Sequence, residues 1–236
     1  MLAILIPFWG RHDTTAVVMR HYQRMAAVRK DMHLVAVGSE GAASRSLAEE
    51  NGWDYVEAQN DPLSNKLSAG LARCRELNPS HGLLAMGSDD LVTGPWVDRC
   101  MKATTRLGLL DMYLLRRKTW EGLHWPGYVG VRAGESVGAH RFFPRALLDQ
   151  LNWELWPPGL NCNLDGNLTR KLTALRASPP QVLSMQQAGC AALGISGEVN
   201  LTPWHLIARG ARSVAPVTIL SQFPEQTRAD IAKLRG

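Results

Sequence analysis

Leu83-Leu84-Ala85-Met86-Gly87-Ser88-Asp89-Asp90 is the stretch that decides how the rest of the chain is read. Four apolar residues run into two adjacent carboxylates. A short continuous apolar run bounded by turn residues fits a strand buried on both faces. Asp89 and Asp90 then sit just past its carboxyl end, the edge where open α/β sheets bind ligands. Two carboxylates there repel each other unless a cation lies close. Hard oxygen ligands of this kind suit Mg²⁺ or Mn²⁺, shared with a phosphate-bearing substrate. The plainer reading is a surface acid pair ahead of the helix that Thr93-Gly94-Pro95 begins.

Upstream of that strand, apolar runs alternate with helical patterns. Residues 2–6 form a first strand. No basic leader precedes it, and Pro7 and Trp9 stand where a signal peptide has small residues, so it reads as a strand. A helix capped by Asp13 or Thr14 carries Val18, Tyr22 and Met25, and His33 to Val37 is strand two. The next helix runs to Asn51 and stops at Gly52, and residues 54–57 form a third strand. Asp61-Pro62 opens a helix with Leu63, Leu67, Leu71, Cys74 and Leu77 on one face and Asn65 and Lys66 in its first turn. Pro95 begins another, to about Leu107. This β-α alternation predicts a mainly parallel sheet with helices on both faces.

Beyond it the rhythm breaks. Strands are expected at 110–115 and 127–132, with Trp120, His124 and Trp125 in the connection between them. A helix from Pro144 to Leu151, an aromatic proline-broken loop at 153–158, a helix over 164–175 and a strand at 182–185 follow. Residues 186–225 read as irregular, and 227–234 as a polar, peripheral helix. The expectation is one domain, 1–236, with a nucleotide-binding half (1–108) and an irregular acceptor-binding half (109–236).

Composition narrows the class. A hydrophobic fraction of 45% and a charged fraction of 20% are ordinary for a soluble globular chain, and no apolar run reaches the roughly 20 residues that cross a bilayer. Cys74, Cys100, Cys162 and Cys190 form no C-x-x-C pair, which leaves zinc and redox motifs unsupported and a cytoplasmic setting as the default. The net charge of +5 leans toward anionic partners such as nucleotides or nucleic acid.

Taken together, a Pro-bearing loop after strand one, a Ser-Glu loop after strand two, an Asn-Lys helix start and an apolar strand ending in Asp-Asp resemble the GT-A nucleotide-sugar glycosyltransferases of the family-2-like type. The resemblance runs in order through residues 3–100 and more loosely through 127–206. It implies a GT-A-like (Rossmann-like) α/β fold. In that family the fourth strand ends in Asp-x-Asp, which holds a Mn²⁺ or Mg²⁺ bound to the sugar diphosphate. Here Ser88 stands at the first position, so Asp90, seconded by Asp89, would do the metal work. By the same resemblance Pro7, Phe8 and Arg11 would line the nucleotide pocket. Ser39 and Glu40 would read base and ribose, with Glu where the family has Asp, and Asn65 and Lys66 would face the diphosphate. Gly138 and His140, in Gly138-Ala139-His140-Arg141-Phe142-Phe143, match the segment beside donor sugar and acceptor. Asp165, ahead of a helix, matches the catalytic base, though an Asp there also makes a good N-cap. Trp204 falls on the acceptor side, and His205 matches a late histidine that returns to the metal.

The chemistry implied is hexosyl or pentosyl transfer from a nucleoside diphosphate sugar to a hydroxyl. A carboxylate base takes the acceptor's proton, and with Asp165 in that role the anomeric carbon is expected to invert. The eight tryptophans could stack on sugars or bases. A hydroxylated base in DNA, as in viral DNA-modifying glycosyltransferases, is an acceptor that length and charge allow. A membrane partner is not expected. Two rivals stand. A sugar-phosphate nucleotidyltransferase would need a glycine-rich loop after strand one, where only Gly10 occurs. The other is a non-catalytic nucleic-acid- or carbohydrate-binding protein on a transferase scaffold.

Overall fold

The structure, a computed structural model, describes residues 1–197, 204–208 and 210–235. Its first part follows the expected alternation: β1 (Leu2–Pro7), α1 (His12–Arg29), β2 (Met32–Gly38), α2 (Ala42–Glu50), β3 (Asp54–Glu57), α3 (Leu63–Leu77) and β4 (Gly82–Ala85). β1 pairs in parallel with β2 on one side and β4 on the other, and β2 pairs in parallel with β3. Leu2 to Ile6 are fully buried, because successive side chains enter opposite layers. Leu2, Ile4 and Ile6 join a core with Val18 and Tyr22 of α1. Ala3 and Leu5 join a second core with Leu67, Leu71 and Cys74 of α3. The one-sided stripe of α3 is thus the face laid on the sheet.

After β4 come β5 (Asp90–Val92), α4 (Gly94–Lys102), β6 (Leu107–Leu109), β7 (Met112–Arg116) and β8 (Glu121–Trp125). Then follow β9 (Arg141–Pro144), α5 (Arg145–Gln150), α6 (Leu164–Ala174), β10 (Gln181–Leu183), α7 (Met185–Ala188) and β11 (Ala192–Ser196). The described chain ends with α8 (Trp204–Ile207), β12 (Arg212–Ser213), α9 (Pro216–Leu220) and α10 (Glu225–Ala232). Seven strands form the main sheet in the order β10-β6-β9-β4-β1-β2-β3, with β9 antiparallel to β4 and β6. The result is a mixed α/β fold with a mostly parallel central sheet flanked by helices. A second sheet, β12-β8-β7-β11-β5, stands beside it.

Several sequence expectations change here. The helix after Pro95 ends at Lys102, and Leu107–Leu109 is a strand of the main sheet. The expected strand at 110–115 begins later, at Met112. Asp111 interrupts the apolar run, accepting from Met185 N at 2.7 Å and pairing with His124 at 2.8 Å. Residues 121–125, expected as connection, are β8, and Gly130–Arg132, expected as strand, is a 3₁₀ turn. The stretch 186–225 holds β11, which lies between β7 and β5 in the interior of the second sheet. The last helix is not peripheral: Thr227, Asp230 and Ile231 are buried against α1.

Candidate active site

The carboxyl ends of β1 and β2 bring the first group of expected residues together. Lys66, in the first turn of α3, is only 1% exposed. Its Nζ donates to Phe8 O at 2.5 Å, Ser39 Oγ at 2.7 Å and Asn60 Oδ1 at 3.0 Å. Burial lowers its pKa to about 8. Instead of reaching out as a point charge for phosphate, it ties the loop after β1 to the loop after β2. Glu40 accepts from Gly10 N at 3.1 Å and pairs with His12 Nε2 at 2.7 Å. These bonds and the nearby positive charges hold its pKa below the ordinary value, against partial burial. Pro7 closes β1 beside this network.

Asp89 and Asp90 follow at the end of β4. Arg11, entering α1, donates from Nη1 to Asp89 Oδ2 at 2.7 Å and from Nη2 to Ser88 Oγ at 3.0 Å. Ser88, which stands where the resembled family has its first Asp, is thereby a partner of Arg11. Asp90 opens β5, and its Oδ2 accepts from Gly87 N at 3.1 Å. Gly87 leaves room between the two acids: a Cβ there would lie 2.2 Å from Asp90 Oδ2 and 3.1 Å from Asp89 Oδ1. Gly194 of β11, directly opposite Asp90, leaves room on the other side, with its own Cβ position 3.3 Å from Asp90 Oδ1. Burial raises the pKa of Asp89, and burial plus the Asp89 charge raises that of Asp90 well above the usual carboxylate value. Two crowded acids converging over a glycine fit a divalent cation, which would remove their mutual repulsion. Among the described residues no group of three or more His, Cys, Asp or Glu side chains gathers to hold a metal. Asp89 and Asp90 would therefore have to share the ion with a ligand.

The backbone carrying Asp90 is fixed from α1. Tyr22, fully buried, accepts at its hydroxyl from Val92 N at 3.1 Å and donates to Asp90 O at 3.3 Å. The ring nitrogens of His21 lie 2.8 Å from Val92 O and 3.0 Å from Thr227 Oγ1.

Asp165 stands in the first turn of α6 and accepts from Arg141 Nη1 at 2.8 Å. It is partly exposed, whereas the Arg141 side chain is nearly enclosed and also bonds Ser136 and Val137 O. Arg141 begins β9 opposite Ala85, so Asp165 is anchored at the same sheet edge that β4 leaves toward Asp89. Gly138 makes this approach possible, since a Cβ there would come within 2.6 Å of Asp165 Oδ2.

Other expected residues lie elsewhere. Phe8 is 2% exposed, so its ring belongs to the core and not to a pocket wall. His140 is fully buried, and its ring nitrogens have no hydrogen-bond partner. Burial lowers its pKa to about 3, and the ring is out of direct reach of a substrate. Its carbonyl accepts from Trp96 Nε1 at 3.2 Å. Asn65 is exposed and accepts from Gly159 N at 3.0 Å, joining α3 to the loop before α6 and not facing the Lys66 network. Trp204 is half-buried under the Arg116 guanidinium, 5.6 Å from the ring centroid. His205 is exposed on α8 and joins no metal-ligating group among the described residues. Residues 198–203, which precede it, lie outside the described residues. Sequence reading missed Gly87, Gly194, Tyr22 and Arg141 as working parts. Gly87 carried a signal, as the small residue between an apolar strand and two acids. The other three act through contacts 24 or more residues away.

No protein-family model matches the sequence, and no curated protein does. Solved structures do. TarS 1-349 of S. aureus in complex with UDP-GlcNAc superposes with a TM-score of 0.55 at 13% identity, over 99% of this chain and 70% of that one. The same protein in complex with UDP gives 0.53 at 13% identity, over 99% and 69%. A glycosyltransferase involved in the glycosylation of the major capsid of PBCV-1 gives 0.44 at 10% identity, over 84% and 94%. The likeness to TarS is one of fold, and the chain has a GT-A-like glycosyltransferase fold.

Proposed function

We propose that the protein is a glycosyltransferase that moves a sugar from a nucleoside diphosphate donor to a hydroxyl acceptor, inverting the anomeric centre. The observation that carries this reading is the convergence of Asp89 and Asp90 over Gly87, at the sheet edge where Arg141 anchors Asp165. Asp89 and Asp90 would hold Mn²⁺ or Mg²⁺, and such an ion stabilises the negative charge that a departing nucleoside diphosphate develops. Arg11 adds a guanidinium next to the same acids, so arriving phosphates meet positive charge already in place. Lys66 keeps the loops after β1 and β2 in register as the floor of the nucleotide site. Asp165 takes the proton of the acceptor hydroxyl, and Arg141 orients it for that step. Because Asp165 acts as a base on the acceptor and not as a nucleophile on the sugar, attack comes from the face opposite the leaving group.

The solved structures of TarS with UDP and UDP-GlcNAc make uridine diphosphate sugars the first donors to try. The geometry adds nothing to net charge in favour of DNA as the acceptor. The test is a panel of nucleotide sugars with Mn²⁺, read as nucleoside diphosphate release. We expect slow hydrolysis of at least one donor, and at least a hundredfold loss, roughly 3 kcal/mol, in Asp90→Asn. Release from no donor overturns the reading and favours a non-catalytic scaffold, and equal release by the variant overturns the role given to Asp90.

A further inference from the structure

A cavity of about 620 Å³ opens between α6 and the β9-β6-β10 end of the main sheet, away from the Asp89–Asp90 pair. Its walls are largely apolar, with Leu107, Phe142, Phe143, Leu168, Leu172 and Val182 among them. That volume lies within the range of small-molecule sites, which are mostly apolar with a few placed polar groups.

Of the four charged residues that line it, Arg106, Arg141 and Arg176 are basic and Glu135 is acidic. Arg141 lines the cavity at one end, already committed to Asp165 and to Ser136. Arg106 lines it from the strand side. Its Nη2 donates to Ser178 O at 2.6 Å, while its Nε is buried with no hydrogen-bond partner. Among the described residues no carboxylate pairs with Arg106. Burial and the nearby Arg141 charge both work against its ionised form. Glu135, the acid in this lining, is taken by Arg132 at 2.9 Å. An unneutralised, half-buried guanidinium beside apolar walls is complementary to an anion attached to an apolar body.

The cavity also lies on the α6 face that carries the candidate base. Leu168, Thr169, Leu172 and Thr173 of α6 line it, and they lie three, four, seven and eight residues after Asp165. That spacing puts Asp165 on the same helix face, one turn beyond the cavity.

We propose that this cavity binds an anionic amphiphile, its apolar body between α6 and β9 and its acidic group on Arg106. On the transferase reading above, on which this part rests, the ligand is the acceptor, whose hydroxyl emerges at Asp165. The acidic group is a carboxylate, sulfonate or phosphate.

The probe is 8-anilinonaphthalene-1-sulfonate, with uncharged N-phenyl-1-naphthylamine as its matched control, each titrated by fluorescence against the folded full chain. We expect saturable binding of both. Arg106→Gln should weaken the sulfonate roughly tenfold and leave the uncharged probe unchanged. Thr173→Trp, at a solvent-exposed position of the α6 face that lines the cavity, should weaken both by filling it. Near-ultraviolet circular dichroism checks that each variant is folded. No saturable binding to the wild type, or equal binding by both variants, overturns the proposal. Arg106-dependent binding by a protein that releases no nucleoside diphosphate supports the pocket and rejects its role as acceptor site. Donor hydrolysis with Arg106-independent binding rejects the pocket alone.

Discussion

Burial and the charge of Asp89 both oppose ionisation of Asp90, so without a cation the pair favours keeping a proton. The consequence for stability has a definite sign. A carboxyl whose folded pKa is raised binds its proton more tightly in the folded state than in the unfolded one. Its contribution is fully present below the unfolded value of 3.8 and is lost as pH rises through the folded value. In chelator, the wild type should therefore lose melting temperature relative to Asp90→Asn as pH rises above that value. Mn²⁺ should close the gap by giving the carboxylates an opposite charge. Parallel melting curves of the two proteins, with and without the ion, check this, and identical slopes in chelator would remove the conflict assigned to the pair. At this scale the sequence was informative about residue type and silent about state. The Asp-Asp doublet and Asp165 could be picked out from their neighbours. Nothing in the run around Lys66 announced that its ammonium would be enclosed by Phe8 O, Ser39 and Asn60, because those partners come from three separate loops.

Between α1 and β5 the decisive contacts join a helix to a strand of only three residues. β5 is too short to fix itself, and it borrows order from the Tyr22 hydroxyl, which bonds at both Asp90 and Val92. Tyr22→Phe leaves a buried Val92 N–H unpaired and should cost about 1–3 kcal/mol of stability. It should also lower donor turnover more than its effect on KM, since the backbone under Asp90 loosens; thermal melts and donor kinetics on the same preparation measure both. The C-terminal α10 reinforces this arrangement. Asp230 takes Arg20 and Arg24 of α1, and Thr227 meets His21. Its sequence looked peripheral because its apolar stripe is thin. Ile231 and Leu234 nevertheless reach the core, and the remaining contacts are polar and buried. The long elements were legible for a plain reason: α1 and α3 carry several turns of one-sided apolar spacing. β8 and β11 were not, since five residues containing a glycine carry too little periodicity to separate strand from loop. Their partners β7, β5 and β12 supply what the local pattern lacks.

Across the whole molecule, two imidazoles are sealed in the core, His21 with a pKa lowered to about 4 and His140 to about 3, both chiefly by burial. The unfolded chain binds these protons first, near 6.5. Stability should therefore fall as pH drops below that value and keep falling through the two folded values. Each group costs up to about 2 kcal/mol near pH 5. Urea unfolding at neutral and mildly acid pH measures this, and a midpoint unchanged on acidification would contradict the burial of both rings. His140 also shows where sequence reading stops. It sits in a segment that resembled a substrate wall, yet β9 and Trp96 close over it. The sequence alone determined the mainly parallel sheet, the layer order of its first half and the acid pair at the end of β4. Those features follow from local periodicity and from the rule that strand ends hold ligands. Only the tertiary structure decided that Gly87 and Gly194 leave room around the acids, that Arg141 anchors Asp165 at the same edge, and that an apolar cavity bearing Arg106 and Arg141 opens beside α6. Each of these depends on strands brought together from distant parts of the chain, and no local pattern records which strands will pair.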